Sequence, residues 1–474
     1  MAWGKEPDVC SPEHGGGGPV VASAIQRIGH GETGEAQAEG KRYVLIALLL
    51  ASILSFVDRQ ILSLLVHPIE HDLHLNDTAM ALLLGPAFLI LHLVIGLPIG
   101  RLVDTYPRFK GLSLGMALWS LATLGAGLAS NFVHLFVARI GVGFGEAFLG
   151  PTAYSVLPDA YPPHRIGRAS AIYSMGVYIG AGLALIIGSQ VIRLLAHVQE
   201  ITLPVLGVMH SWQLVFVVIG LPGILVALWI FRLPEPPRRD PNGISASRPA
   251  LREVLAFIRA NFRALASVTF CAAFSLAMSY GTGAWVPTFL IRSYGWSIVH
   301  AGAVYGVVVV VGGVTGVNLA GALSDALTRK GIRSARLLVM CLASVLTLPF
   351  AIAFPLAPNP YVAMALMLPA VIFSTFAPAA MPVSVQEIVP NRMRGAVAAG
   401  LILFTSVIGL GFGPVLVSLF TNFVLHSQAQ LRYSLAVVPP AALLTSAIIG
   451  FSGLGAFSRA RDRLRGTEAT LSAN

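Results

Sequence analysis

Charge is what this sequence has least of. Lys, Arg, Asp and Glu make up 11% of the 474 residues, against about 25% in ordinary soluble domains, while hydrophobic residues reach 55%. A chain of that composition belongs in a membrane. Cysteine is nearly as scarce: Cys10, Cys271 and Cys341 are too few and too scattered for a disulfide framework or a CxxC metal site. Acid is scarcer than base, at 21 Asp and Glu against 31 Lys and Arg. On a membrane chain the position of that excess matters more than its size, so no nucleic-acid partner is expected. No nucleophile triad, metal spacing or Walker loop occurs, which leaves an enzyme, a bound cofactor or metal, and an ATP-driven pump without support. No secretory signal is visible, and residues 1–40, with GGGG at 15–18, read as a disordered tail.

What is there is a series of apolar runs long enough to span about 30 Å of bilayer. They cover 43–66, 79–103, 111–129, 132–157, 167–192 and 213–231, then 264–291, 299–323, 335–356, 361–388, 395–420 and 433–457. Twelve transmembrane helices are predicted. Basic residues test that count, because a missed span would invert every later loop. With the amino terminus in the cytoplasm, 26 of the 31 Lys and Arg fall on the cytoplasmic side, and only Arg193, Arg292 and Arg432 fall outside. Arg59 and Arg139 are left within the membrane. This asymmetry places both termini in the cytoplasm of a multi-pass protein of the bacterial inner or plasma membrane.

The two sets of six repeat each other. GRLVD at 100–104 returns as GALSD at 321–325, and Asp159, Pro163 and Arg165 return as Glu387, Pro390 and Arg392 at offsets of 227 or 228. Between them lies a Pro-, Arg- and Ser-rich linker. The expected organisation is a tail to 40, a six-helix bundle over 41–232, a linker over 233–262 in which 251–262 forms a short amphipathic surface helix, a second bundle over 263–457 and a tail over 458–474. Paired parallel bundles of this kind describe an alternating-access transporter with its site near mid-membrane between the halves.

The stretch SILSFVDRQILS at 52–63 holds the central expectation. Asp58 and Arg59 stand side by side inside an apolar span, where a charge costs about 2.5–3.5 kcal/mol and marks a substrate or ion path. Ser52, Ser55, Arg59 and Ser63 share one helical face, which puts Arg59 toward a cavity, while Asp58 is turned about 100° away and needs a partner from another helix. Depth counted along the helices puts Arg139 nearly level with it, so an Asp58–Arg139 pair is predicted. Glu146 lies two turns beyond Arg139 on the same face, and Gly141, Gly143 and Gly145 between them allow a neighbouring helix close. The run GVGFGE lacks the strand-turn-helix context of a nucleotide site. Asp58 and Glu146 are the candidate proton carriers, since parting a buried carboxylate from an arginine raises its affinity for a proton. A fixed pair that only sets helix register is the alternative.

The second half has no counterpart to these charges. The helix over 264–291 offers a neutral, partly aromatic set that includes Tyr280 as a candidate substrate contact. Pro151, Pro378, Pro382 and the run from Gly409 to Pro414 are places to bend or pack tightly. His67, His71 and His74 could share a face, but with Pro68 and a loop nearby they read as solvated surface residues.

Along roughly 43–457 the chain resembles the major facilitator superfamily. GRLVDTYPRFK at 100–110 looks like that family's signature between helices 2 and 3, and GALSDALTRKG at 321–331 like its weaker second copy. The resemblance implies an all-α fold of two pseudo-symmetric six-helix bundles and a cytoplasmic gate carried here by Gly100, Asp104, Arg108, Arg165, Asp325, Glu387 and Arg392. In that gate Asp104 would cap a neighbouring helix and pair with an arginine across the bundles, holding the outward-open form shut on the cytoplasmic side. Thr105 and Pro107 depart from the usual pattern. A narrower resemblance, to the spinster-like branch, rests on FVDRQILS, GLPIGRLVD and ARIGVGFGEAFLGPTAYSVLPDAYPPHR. It implies a proton-linked carrier of lysolipid- or sphingolipid-type amphiphiles, a monomer whose partners are its substrate, protons and membrane lipids. Small organic anions held directly by Arg59 or Arg139 are the competing cargo, and a sensor that kept the carrier fold is the competing class. Apolar lining in the second half of the cavity would favour the amphiphile, and a second buried cation there the small anion.

Overall fold

The computed structural model describes residues 42–195, 200–203, 207–236, 238, 251–390 and 393–473. The tail expected at 1–40 and most of the linker lie outside them. Twelve long helices follow in order: α1 (Arg42–Leu64), α2 (Asp77–Gly96), α3 (Arg108–Ala126), α4 (Phe132–Ala160), α5 (Arg168–Leu195) and α6 (Ser211–Phe231), then α7 (Phe262–Tyr294), α8 (Ile298–Arg329), α9 (Ala335–Leu356), α10 (Pro360–Ile388), α11 (Val397–Val424) and α12 (Gln428–Leu464). All but α3 are apolar enough to cross a membrane unaided. Helix α3 carries Arg108 and Lys110 at one end and buries Ser113, Ser120 and Thr123, because α4 and α6 pack along it and its polar atoms face protein. An even number of crossings returns the chain to its starting side. We call that side terminal and the opposite side distal.

The helices form two groups, α1–α6 and α7–α12, and the repeat extends to their irregularities. Helix α4 breaks at Ala147–Phe148 and α10 at Thr375. Pro151 and Pro378 follow at matching distances, and each removes an N–H from the ladder. Helix α2 breaks at Gly85–Pro86, and α11 contains a π-helical stretch, Val407–Phe412.

The halves meet over the distal part of their length. One apolar cluster runs through both, joining Leu65 and Ile69 to Phe289, Tyr305 and Phe354. Helices α5 and α8 touch through glycines: a Cβ on Gly306 would stand 2.7 Å from the Gly182 carbonyl oxygen. On the terminal side the second half keeps its own core, while the core of the first also takes in Leu410 of α11.

Short elements dress the two surfaces. On the distal side a helix, Val66–Leu73, is tied to an antiparallel hairpin, Glu200–Leu203 with Gly207–His210. Asp72 makes the tie, accepting from Trp212 Nε1 at 2.8 Å and pairing with His210 Nε2 at 3.2 Å. On the terminal side Leu251–Ala260 is a helix that buries Val254 and exposes Leu255, Arg252 and Arg259. The last helix runs on to Ala473, past the expected end at 457. Arg461 on that extension donates to the Arg333 carbonyl at 2.5 Å, which anchors it to the loop before α9.

Candidate functional site

Four charged side chains gather at mid-depth in the first half. Asp58, Arg139 and Glu146 are 1–2% exposed, and Arg59 is 15% exposed at its side chain. Arg59 forms an ion pair with Glu146 Oε2, and the same oxygen accepts from Ser55 Oγ at 2.6 Å. The guanidinium lies between two aromatic rings, 4.6 Å from the centroid of Phe56 and 4.1 Å from that of Phe88. Such stacking favours Arg over Lys at this position. Tyr280 of α7 brings its hydroxyl beside Arg59 from the other half. The glycines of α4 make the geometry possible. A Cβ on Gly143 would stand 2.0 Å from the Phe88 carbonyl oxygen, so α2 could not come near enough to set Phe88 over Arg59.

The predicted Asp58–Arg139 side-chain pair does not form. Arg139 donates through Nη1 to the main-chain oxygen of Asp58 at 3.1 Å and through Nε to that of Leu83 at 3.3 Å. The reason is local. The break at Gly85–Pro86 leaves carbonyls of the preceding α2 turn without helical donors, and Arg139 arrives beside the main chains of α1 and α2. Asp58 points instead toward Trp119 and Thr123 of α3. Its Oδ1 and Glu146 Oε1 are buried without a hydrogen-bond partner.

A cavity of about 1060 Å³, counting the space open to solvent, lies between the halves. Among its lining residues Arg59 alone is charged. The second half contributes Leu276, Met278, Val309, Met367 and Val371 with the hydroxyl residues Ser279, Tyr280, Thr282, Tyr305 and Ser374. Gln60 crosses to that half, donating to the Gly283 carbonyl at 3.2 Å.

The terminal-side residues form one network in each half. Arg108, 1% exposed, pairs with Asp159 and with Glu235 Oε1 at 2.8 Å. Arg336, at the same repeat position, lies 3.5 Å from Glu387 and 3.3 Å from Asp325, and donates to Ser324 Oγ at 2.7 Å. Helix capping at α3 falls to Glu235, whose carboxylate accepts from the backbone N–H of Arg108 at 3.0 Å and of Phe109 at 3.1 Å. Gly100 faces open space and Arg165 is exposed. The Asp104 side chain and all of Arg392 lie outside the described residues. Hydrogen bonds between described residues of the two halves lie at mid-depth or at the distal end.

Distal closure is built from Arg292 at the end of α7. It binds Asp77 through Nη1 at 2.9 Å and Nη2 at 2.8 Å, and Glu70 through Nη2 at 2.7 Å. Asn422 Nδ2 donates to Thr78 Oγ1 at 2.9 Å nearby. Sequence reasoning missed this cluster, although Arg292 is one of only three cations placed on that side. It also missed Glu235 and His92, whose ring stacks on Phe88 at 5.1 Å and meets the Gly143 carbonyl oxygen at 3.2 Å.

Known proteins resemble the chain in sequence and in fold. Over 404 residues the chain is 26% identical to an MFS-type efflux pump of Mycolicibacterium smegmatis, covering 82% of this chain and 87% of that one. It is 24% identical over 409 residues to a probable L-galactonate transporter of Escherichia coli, covering 83% and 85%. Among solved structures it is similar to a bacterial homolog of the human lysosomal transporter Spinster in an inward-facing, unoccupied conformation. The TM-score is 0.71 and the identity 26%, with 90% of this chain and 98% of that one covered. These relatives are transporters, not enzymes. The model of the Major Facilitator Superfamily matches residues 48–414, and the chain, a multi-pass integral membrane protein, belongs to that family.

Proposed function

We propose that the protein is a proton-coupled secondary carrier that moves an anionic amphiphile by alternating access, with its terminal side in the cytoplasm. The observation that carries this reading is the cavity wall: one guanidinium on the first half, and apolar or neutral side chains on the second. An anion with its charge at one end and hydrocarbon at the other satisfies both walls. A sugar acid carries hydroxyls along its length, and Leu276, Val309 and Met367 offer them nothing. The likeness to a probable L-galactonate transporter favours that second cargo, but the second buried cation that it calls for is absent from the lining. The placement of Lys and Arg supports a cytoplasmic terminal side in a bacterial inner or plasma membrane.

Coupling follows from competition for Arg59. Glu146, which itself accepts from Ser55, holds the guanidinium until a substrate arrives. A substrate anion reaching Arg59 from the cavity displaces Glu146, and the displaced carboxylate takes a proton, because a buried charge left unpaired is costly. One H⁺ and one negative charge then enter together, so the site carries the same net charge empty and loaded. Asp58, with an oxygen free of partners, is the second place where a proton can rest.

Binding to the intact chain in nanodiscs tests the cargo. Across lysophospholipids of increasing tail length, affinity is expected to rise up to about fourfold per buried methylene, and Arg59→Gln to abolish it. Tight binding of hexonates with none of lysolipids would refute the reading.

A further inference from the structure

The distal cluster carries a charge imbalance that the transport site does not. Glu70 Oε2 and Asp77 Oδ1 stand 2.7 and 2.8 Å from one nitrogen, Arg292 Nη2. Two carboxyls thus crowd a single guanidinium, in a place where Asp77 is fully buried and the Glu70 and Arg292 side chains are only 10% and 12% exposed. Glu70 Oε1 is buried and has no hydrogen-bond partner. Both acids belong to the first half and Arg292 to the second, so the cluster exists only while the halves are closed distally.

We infer that Glu70, Asp77 and Arg292 form a proton-binding site in the distal gate, which holds one H⁺ while the halves are closed there and returns it to the distal medium when they part. The ligand is the proton alone, and it does not cross the membrane. Acidity on the distal side therefore draws the carrier into its terminal-open state, whichever substrate it moves.

The surroundings set the sign. Burial, with the neighbouring Asp77 carboxylate, outweighs Arg292 and pushes Glu70 up to about 8. An exposed Glu70 in the open gate returns to the ordinary value near 4.5. The closed state then binds an extra proton between those limits, so the closed-to-open ratio falls by up to about tenfold per pH unit from pH 5 to 8 and levels off above. The other titratable groups on the Val66–Leu73 helix are His67, His71 and Asp72, the last paired with His210. Burial and Arg292 lower the pKa of His67, so its protonation favours the open state at low pH, the opposite sign.

The inference rests on the alternating-access reading, and its test separates the two. Nitroxide labels at Leu128→Cys and Tyr361→Cys, 51% and 64% exposed near the distal ends of the two halves, report gate distance by pulsed electron resonance. The carrier is the full chain in nanodiscs, with Cys10→Ser and with the buried Cys271 and Cys341 left in place. The wild-type closed fraction is expected to fall between pH 5 and 8. Glu70→Gln, a neutral isostere, should lose close to one decade per pH unit of that slope and stay closed at pH 8. His67→Gln should keep the slope. An unchanged slope in Glu70→Gln, or one abolished by His67→Gln, overturns the site. A single distance at every pH would overturn alternating access as well.

Discussion

The repeat that relates Asp159 to Glu387 also sets Arg139 against Met367, Gly143 against Val371 and Glu146 against Ser374. The two halves therefore share helices, helix breaks and terminal-side networks, and differ at the membrane centre. In the first half α4 gives up side-chain volume at glycine so that α2 and α3 can enclose charges, while in the second α10 places Met367, Val371 and the neutral Ser374 at the matching positions, all lining the cavity. One half holds charge and the other receives hydrocarbon. The terminal-side networks differ more mildly. Just past the sixth helix of the first half stands an anion, Glu235, bound to Arg108 at 2.8 Å, whereas in the second half a cation within α12, Arg461, approaches Glu387 at 4.0 Å.

The comparison is broken or sharpened by six substitutions. Arg59→Gln should have the largest effect, because it leaves Glu146 buried without its partner, a loss of about 3–5 kcal/mol. Uptake in proteoliposomes should fall at least about 100-fold, while Met367→Ala and Ser374→Ala stay within about tenfold. Equal losses in the two halves would erase the distinction. Asp58→Asn is expected to slow gradient-driven uptake about tenfold, a barrier change of about 1.4 kcal/mol, and to leave the melting temperature nearly unchanged, since no ion pair is broken. Unimpaired proton-driven uptake would remove Asp58 from the coupling. Gly143→Ala should destabilise by about 1–3 kcal/mol through overpacking against Phe88, read as a lower melting temperature in detergent. A variant as stable as wild type would show that α2 has room to move. Glu235→Ala should have the smallest effect, about 1 kcal/mol for a lost helix cap, again read by melting.

Much of this was legible in the residues. Twelve spans follow from run length, and the duplication from Asp159 and Glu387. That Asp58, Arg59, Arg139 and Glu146 lie buried together follows from the cost of charge in a bilayer. Which of them touch did not follow. Pairing depends on how each helix is rotated and on a carbonyl freed by the break at Gly85–Pro86, and counting depth along ideal helices contains neither. The contact of Arg59 with Glu146 joins residues 87 apart through a glycine face whose purpose shows only when Phe88 is in place. Glu235 sits in what reads as linker, and its capping role needs the fold to bring it to α3. Arg292 looked like an exception to the charge rule, although an exception on the side with fewest cations was itself the signal.

Pairing of Arg59 with Glu146 as the element that protonation releases is tested most directly by Glu146→Gln in proteoliposomes loaded with labelled substrate. Exchange across a membrane without a gradient should continue, since the glutamine leaves Arg59 free for the anion. An imposed pH gradient should drive accumulation in wild type and none in the variant. Accumulation by Glu146→Gln equal to that of wild type would contradict the coupling proposed here.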